Sequence, residues 1–233
     1  MGRDLETMPN TYYFSFRSPY SWLATRLILS NMPANTDLEW VPFWEPDSQS
    51  AKALSDRKAE FPYQKMSDAK HRYILQDVRR LARDLGVDMQ WPVDEEPHWE
   101  VAHLGYLKAR ELGGERAYME GVYRARWENG RNISDPAVIS DVANEAGLDG
   151  QAVALACQDP AIREQGVACL LQIYKNDVFG VPYFMHKRDR FWGLDRLPLF
   201  LRSVSGQPYS SMEFVADHQR GAIYEFDHAG GCG

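Results

Sequence analysis

Two serines spaced as Ser18-Pro19-Tyr20-Ser21 stand where an aromatic run, Tyr12-Tyr13-Phe14-Ser15-Phe16, gives way to an amphipathic segment. Ser18 occupies the place of a helix N-cap and Pro19 the first helical position. A helix N-terminus exposes unpaired N–H groups and a partial positive charge, so it stabilises an anion. Two cysteines at this spacing would form a redox pair with one sulfur held as thiolate. Serine cannot supply the sulfur. The corner therefore has two readings. It is a plain N-cap, or it is an anion site for a thiolate carried by a small molecule, with Ser18 Oγ–H donating to that sulfur. A hydrogen bond to a charged acceptor contributes roughly 1.5–3 kcal/mol, equivalent to about one to two pKa units. A thiol of pKa ~8.5 held this way ionises largely at neutral pH. Ser21, three residues on, either caps the helix or faces the core.

Other chemistry-bearing residues are sparse. Gly180-Val181-Pro182 precedes a short apolar run and reads as a turn; Asp195 precedes the last helical pattern and reads as an N-cap. Cys157, Cys169 and Cys232 are odd in number and widely spaced, which indicates neither a zinc site nor a disulfide framework. No histidine pair has the spacing of a helical zinc site, and His218 and His228 lie beside Asp217 and Asp227 in a polar tail. No metal is expected. The 233 residues carry a net charge of −7, with 44% hydrophobic and 25% charged residues. That composition supports a substantial core and argues against a nucleic-acid or anionic-membrane surface. No apolar run is long enough to span a bilayer, and the N-terminal stretch has no apolar signal core. A reducing cytoplasm is the expected compartment.

The elements that must position these residues follow from periodicity. Residues 11–16 are aromatic and β-branched enough for a buried strand. A helix follows, with Trp22, Leu23, Leu27 and Ile28 on one face and Pro33 as its stop. Residues 38–44 read as a second strand, which a right-handed crossover makes parallel to the first. From about residue 50 to 176 every segment favours helix, bounded by Asp68, Gly86, Gly113-Gly114, Ser134 or Asp135 ahead of Pro136, Gly147 and Asp159-Pro160. Residues 180–186 and 188–193 then form a hairpin, and 194–204 a last helix with Pro198 in its first turn. The tail from Ser205 carries one short strand or helix, at 212–216 or 222–226, or reaches toward a partner. The order β-α-β, helical insert, β-β-α is an α/β thioredoxin-like fold split by a helical subdomain. Its frame is 10–46 and 177–204, its insert 47–176, and its extension 205–233.

Four stretches in this order, FSFRSPYSWLA, DAKHRYILQDVRRLARDLGVDMQWP, GVPYF and FWGLDRLPLF, resemble the 2-hydroxychromene-2-carboxylate isomerases. These are kappa-class glutathione transferases of the DsbA-like thioredoxin superfamily, and the resemblance spans about residues 10–203. It implies that Ser18 activates the thiol of glutathione or of another small thiol. It implies a cis Pro182, with the Val181 backbone pairing to the cysteinyl part of the tripeptide. Asp195 would take the γ-glutamyl amino group, and backbone N–H groups near Leu194 and Asp195 its carboxylate. Trp192 would wall that pocket, and an aromatic substrate would lie near Tyr20, Trp22, Trp91 and Trp99. The implied reaction is thiolate addition, ring opening, rotation and thiol elimination, on a substrate such as 2-hydroxychromene-2-carboxylate. A kappa-like glutathione transferase or a natural-product tailoring enzyme would use the same thiol. A DsbA-like oxidoreductase relative, or a non-catalytic binding protein, would keep only the fold. Relatives of this kind imply a homodimer.

The stretch PFWEPDSQSAKALSDRKAEF departs from the family, with no counterpart of its glutathione-contacting Asn. Glu45 and Asp47 place negative charge there, which Lys52, Arg57 or Lys58 would offset. Arg17 is unusual too: it pairs with a substrate carboxylate or with Asp195, or it is a solvated charge.

Overall fold

The computed structural model describes residues 9–32, 36–62 and 66–208. The features expected at 212–216 and 222–226, together with Pro33, His218, His228 and Cys232, lie outside the described residues.

Four strands form one mixed sheet in the order β2-β1-β3-β4. β1 (Asn10–Phe14) runs parallel to β2 (Leu38–Pro42) and antiparallel to β3 (Tyr183–His186), which turns into β4 (Asp189–Trp192). Tyr12, Tyr13 and Phe14 are all buried. A strand covered on both faces belongs in the middle of a sheet, and its unbroken aromatic run shows why. α1 (Pro19–Asn31) lies over one face, held by the Tyr12 hydroxyl, which meets the Ser21 carbonyl at 3.0 Å and Thr25 Oγ1 at 3.1 Å. Phe184 stacks between Tyr12 and Phe200 of α9 (Leu197–Val204), joining the hairpin and the last helix to the same core.

The insert contains α2 (Ser48–Asp56), α3 (Asp68–Asp84), α4 (Glu100–Glu111), α5 (Glu115–Tyr123), α6 (Pro136–Glu145), α7 (Gly150–Ala154) and α8 (Pro160–Lys175). Asp47, Ser67, Asp135, Asp149 and Asp159 cap their helices by accepting first-turn N–H groups. α4 is apolar nearly all round, with Val101, Ala102, Leu104, Tyr106, Leu107 and Ala109 buried, so it forms the axis of the insert. Gly105 lets α5 approach: a Cβ there would run into the Tyr118 hydroxyl, which donates to the Ala102 carbonyl at 3.0 Å. α5 runs on into a single π-helical turn, Arg124–Glu128.

Two expectations shift. β1 stops at Phe14, because the backbone of Ser15 and Phe16 bonds to side chains of the insert instead of to a neighbouring strand. The last helix divides into a 3₁₀ turn, Leu194–Arg196, and α9. Asp195 caps neither: α9 begins at Leu197, beside Pro198 and three residues later than expected, and has no side-chain cap. The Asp195 carboxylate instead accepts from Arg196 Nη1 at 2.6 Å and folds over Gly193. Gly193 has φ of +99°, and a Cβ there would lie 2.6 Å from Asp195 Oδ1.

Candidate functional site

Ser18 caps α1. Its Oγ accepts from the Ser21 N–H at 3.2 Å, and its hydroxyl donates to the Val181 carbonyl at 3.5 Å. The cap and the proline loop therefore face one another across this oxygen. Ser21 is fully buried, and its Oγ accepts from the Ser15 N–H at 3.3 Å, so it braces the corner from inside.

The insert holds the rest of the corner. Tyr123 OH donates to the Ser15 carbonyl at 3.2 Å, and Trp127 Nε1 to the Phe16 carbonyl at 3.0 Å. His103 Nδ1–H donates to the Trp99 carbonyl at 2.7 Å, which leaves Nε2 to accept the Phe16 N–H at 3.1 Å. Burial drives the His103 pKa down to about 3, and the ring is a neutral strut.

The Val181–Pro182 peptide is cis. Among the described residues the Val181 N–H has no hydrogen-bond acceptor. The Pro182 carbonyl accepts from the Gly193 N–H at 2.9 Å, which ties the Leu194–Arg196 turn to the proline loop and brings it against α1. Ser18, Val181, Pro182, Leu194 and Asp195 thus share one end of the sheet. Trp192 is half-buried there, packed edge-on to Phe179 with ring centres 5.0 Å apart.

A cavity of about 150 Å³ opens beside Ser18, between the frame and α3. Arg17, Ser18, Tyr20, Trp91 and Val181 line it, with Phe43, Trp44, Phe61, Ile74, Arg126 and Trp127. Pro182, Leu194, Asp195 and Trp192 lie outside its wall. Tyr20 OH donates to Asp77 Oδ2 at 2.7 Å, pinning that wall to α3. Trp22 does not reach the cavity: it is 1% exposed and stacks on Trp127 in the core, because its position on α1 points into the insert. Trp99 is buried, and the guanidinium groups of Arg17 and Arg126 lie over its ring at 5.5 and 5.1 Å. Arg17 does not pair with Asp195: its Nη1 meets Glu45 Oε2 at 3.4 Å, and its side chain stays partly open to solvent.

The divergent stretch forms α2, and its charges are settled differently from expectation. Lys52 pairs with Asp56 and Arg57 with Glu164, so neither offsets Asp47. Arg163 does: its Nη2 and Nη1 donate to the two Asp47 oxygens at 2.8 and 3.2 Å. Burial raises the Asp47 pKa, but Arg163 and the Ser50 N–H outweigh it and hold the carboxyl well below its usual range. Asp47, His98 and Glu100 offer ligand atoms within 4.8 Å of one another, and the Arg163 guanidinium already supplies positive charge there. Burial raises the pKa of Glu100, 1% exposed at this spot.

His103, Tyr123, Trp127, Arg126 and Arg163 were not legible as site residues. The only signal was a polar or charged side chain inside an otherwise apolar helical pattern.

A helix N-terminus facing a cis-proline loop, on a four-stranded sheet interrupted by helices, defines a thioredoxin-type frame. The chain belongs to the DSBA-like thioredoxin domain family, whose pattern matches residues 11–205. It is similar to the 2-hydroxychromene-2-carboxylate isomerase of Sphingobium xenophagum, 27% identical over 195 residues, covering 82% of this chain and 95% of that protein. An uncharacterized Bacillus subtilis protein, YwbO, is 25% identical over 154 residues, 65% of this chain and 72% of its own. Among solved structures, a 2-hydroxychromene-2-carboxylate isomerase superposes with a TM-score of 0.64 at 21% identity, covering 91% of this chain and 98% of its own. A probable DsbA oxidoreductase from Streptomyces coelicolor gives 0.62 at 16% identity, covering 86% and 91%. The cytosolic disulfide reductase DsbM from Pseudomonas aeruginosa, solved with GSH, gives 0.56 at 15% identity, covering 91% and 100%. At these identities the structural likeness establishes the fold.

Proposed function

We propose that the protein is a glutathione-dependent isomerase of an aromatic-derived substrate such as 2-hydroxychromene-2-carboxylate. The observation that carries this is Ser18 itself. It stands at the N-terminus of α1, its hydroxyl turned to the cis-proline loop, with no cysteine at position 18 or 21. The donor set fits a small thiol: Ser18 Oγ–H for the sulfur, and the Val181 N–H and C=O for an extended cysteinyl backbone. Leu194 and Asp195 stand next to that loop to receive the γ-glutamyl end.

A thiolate bound there supplies reversible addition to an electron-poor double bond, so the bond rotates as a single bond and the thiol leaves unchanged, with no net oxidation. Ser18 orients the sulfur and holds its charge. Arg17 and Tyr20 line the cavity that receives the electrophile, and its aromatic walls suit a flat ring. Trp192 flanks the thiol end. A kappa-like transferase would use the same groups and stop at the adduct.

Disulfide chemistry is disfavoured by the two described cysteines. Cys157 and Cys169 are each 8% exposed, and burial raises both thiol pKa values, that of Cys169 to about 11. Among the described residues no helix is long and apolar enough to cross a membrane. A homodimer in the reducing cytoplasm completes the proposal; light scattering of a monomer at micromolar concentration would remove the dimer.

Calorimetry with glutathione is the direct test, with the thiolate absorbance near ~240 nm followed against pH. A dissociation constant below about 1 mM, with a lowered thiol pKa on wild type but not on Ser18→Ala, is the expected result. No binding to the wild-type protein overturns the thiol assignment.

A further inference from the structure

We propose that Arg126 is a carboxylate anchor of the cavity, held ready by Asp94 until the carboxylate of an aromatic acid takes that residue's place. The proposal rests on the cavity being the electrophile pocket of the reaction above, and it adds the residue that selects charged substrates.

Arg126 lies in the π-helical turn that prolongs α5. Such turns are uncommon and frequent at functional sites. Its side chain is 2% exposed and lines the cavity. Indole rings flank it, Trp99 at 5.1 Å and Trp127 at 4.9 Å from the guanidinium carbon. Both terminal nitrogens donate to Asp94, at 2.7 Å each, while the buried Nε has no partner among the described residues. A guanidinium has five N–H groups, and one carboxylate uses two of them. Burying a cation this deeply against a single acid is a poor way to gain stability, since desolvation cancels much of the attraction.

Asp94 is built unlike its partner. It belongs to the segment 87–98, which forms neither helix nor strand, and its side chain is 26% exposed. It also lines the cavity. Arg126 is thus fixed by two indoles, and its acid sits on a loop with access to water. A ligand carboxylate entering the cavity would reproduce the two charge-assisted hydrogen bonds and release Asp94 to solvent. The exchange is nearly neutral in hydrogen bonds, so stacking on Trp91 and Trp127 decides the outcome. A neutral analogue cannot make the exchange. Arg17, also over the Trp99 ring and paired with half-exposed Glu45, adds a second positive group lining the cavity. Tyr20, which donates to Asp77, and His71, edge-on to Trp91, are the remaining titratable wall residues.

The test uses 2-naphthoate and 2-naphthamide, without thiol, and reads tryptophan fluorescence and calorimetry. The wild-type protein is expected to bind naphthoate at least about tenfold more tightly than the amide, about 1.4 kcal/mol. Asp94→Asn removes the internal competitor and should tighten naphthoate at least fivefold, with naphthamide unchanged within about twofold. Arg126→Gln should erase the preference. Equal affinities for the two probes, binding of neither, or unchanged or weakened naphthoate binding in Asp94→Asn would each overturn the proposal. Asp94 is partly exposed, so its variant keeps the test decisive if Arg126→Gln fails to fold. Glutathione titrated alone onto the same proteins reads the thiol site separately, so failure of the anchor and failure of the thiol reading give different patterns.

Discussion

Replacing Ser18 by cysteine tests the corner without any added thiol. The new sulfur would occupy the position of Ser18 Oγ, which accepts the Ser21 N–H at 3.2 Å. A hydrogen bond to a charged acceptor contributes roughly 1.5–3 kcal/mol, or about one to two pKa units. The α1 N-terminus adds about 0.3–1 kcal/mol, well under one further unit. Position 18 is half-buried, so desolvation returns part of this. From an ordinary thiol pKa of ~8.5, the expected value for the introduced thiol is about 6–7.5. The measurement is thiolate absorbance near ~240 nm and the rate of iodoacetamide labelling, both against pH, in a Cys232→Ser background. Cys157 and Cys169 do not interfere, since burial raises both and puts Cys169 at about 11. A pKa at or above ~8.5 for the introduced thiol would refute the reasoning. The corner would then be a helix cap and no more, and the thiol-activating role of Ser18 would fall with it.

His103 refuses a proton down to about 3, whereas the unfolded chain takes it near 6.5. Its contribution is therefore full above pH 6.5 and is lost as pH falls toward 3, by up to about 1.4 kcal/mol per pH unit. Urea midpoints between neutral and mildly acidic pH should fall steeply for the wild type and less so for His103→Gln. Arg163→Met leaves the Asp47 carboxylate beside buried Glu100 and should cost about 2–4 kcal/mol in urea unfolding, with Asp47→Asn in the same chain recovering part. Trp22→Phe should cost about 1–3 kcal/mol in the same assay and leave naphthoate affinity within about twofold, because the indole is core and not cavity wall.

What could be read from the sequence was what a few neighbouring residues decide. Ser18-Pro19, Asp135-Pro136 and Asp159-Pro160 each place a side-chain acceptor ahead of a proline at the first turn, and each caps its helix, Asp135 rather than Ser134 in the second. The hairpin at Lys187, whose φ is +53°, and the helix stop at Gly86 are similarly local. The errors lie where a distant partner decides. Trp22 and Trp91 look alike as aromatic residues, but Trp22 stacks on a residue 105 positions away and Trp91 lines the cavity. Asp47 has cations in its own stretch, but its partner Arg163 comes from α8. Asp195 lost its cap because Pro198 shifts the start of α9, an effect of backbone geometry that a residue count does not register. His103 is the least legible of all: a histidine in an apolar helix gives no sign that it holds the backbone of residue 16.

The omitted residues change how the site is understood. The thioredoxin frame brings a helix end and a proline loop together, but the insert fixes where that helix end lies. Tyr123, Trp127 and His103 hold the carbonyls of Ser15 and Phe16 and the N–H of Phe16. Two of those three sit within four residues of Arg126, in α5 and the turn that prolongs it. On the proposed reading, the sulfur is therefore positioned by Phe16–Ser18 and the substrate carboxylate by Arg126, and Trp127 joins the two through one 3.0 Å hydrogen bond and its own place in the chain. A reaction that must bring carbon and sulfur to about 3–3.5 Å gains most when both are measured from one rigid element. Trp127→Phe keeps the ring and loses that bond. Its expected effect is a fall in turnover with the proposed substrate larger than any fall in glutathione or naphthoate affinity taken alone. Equal losses in binding and turnover would show that the two halves of the site are placed independently.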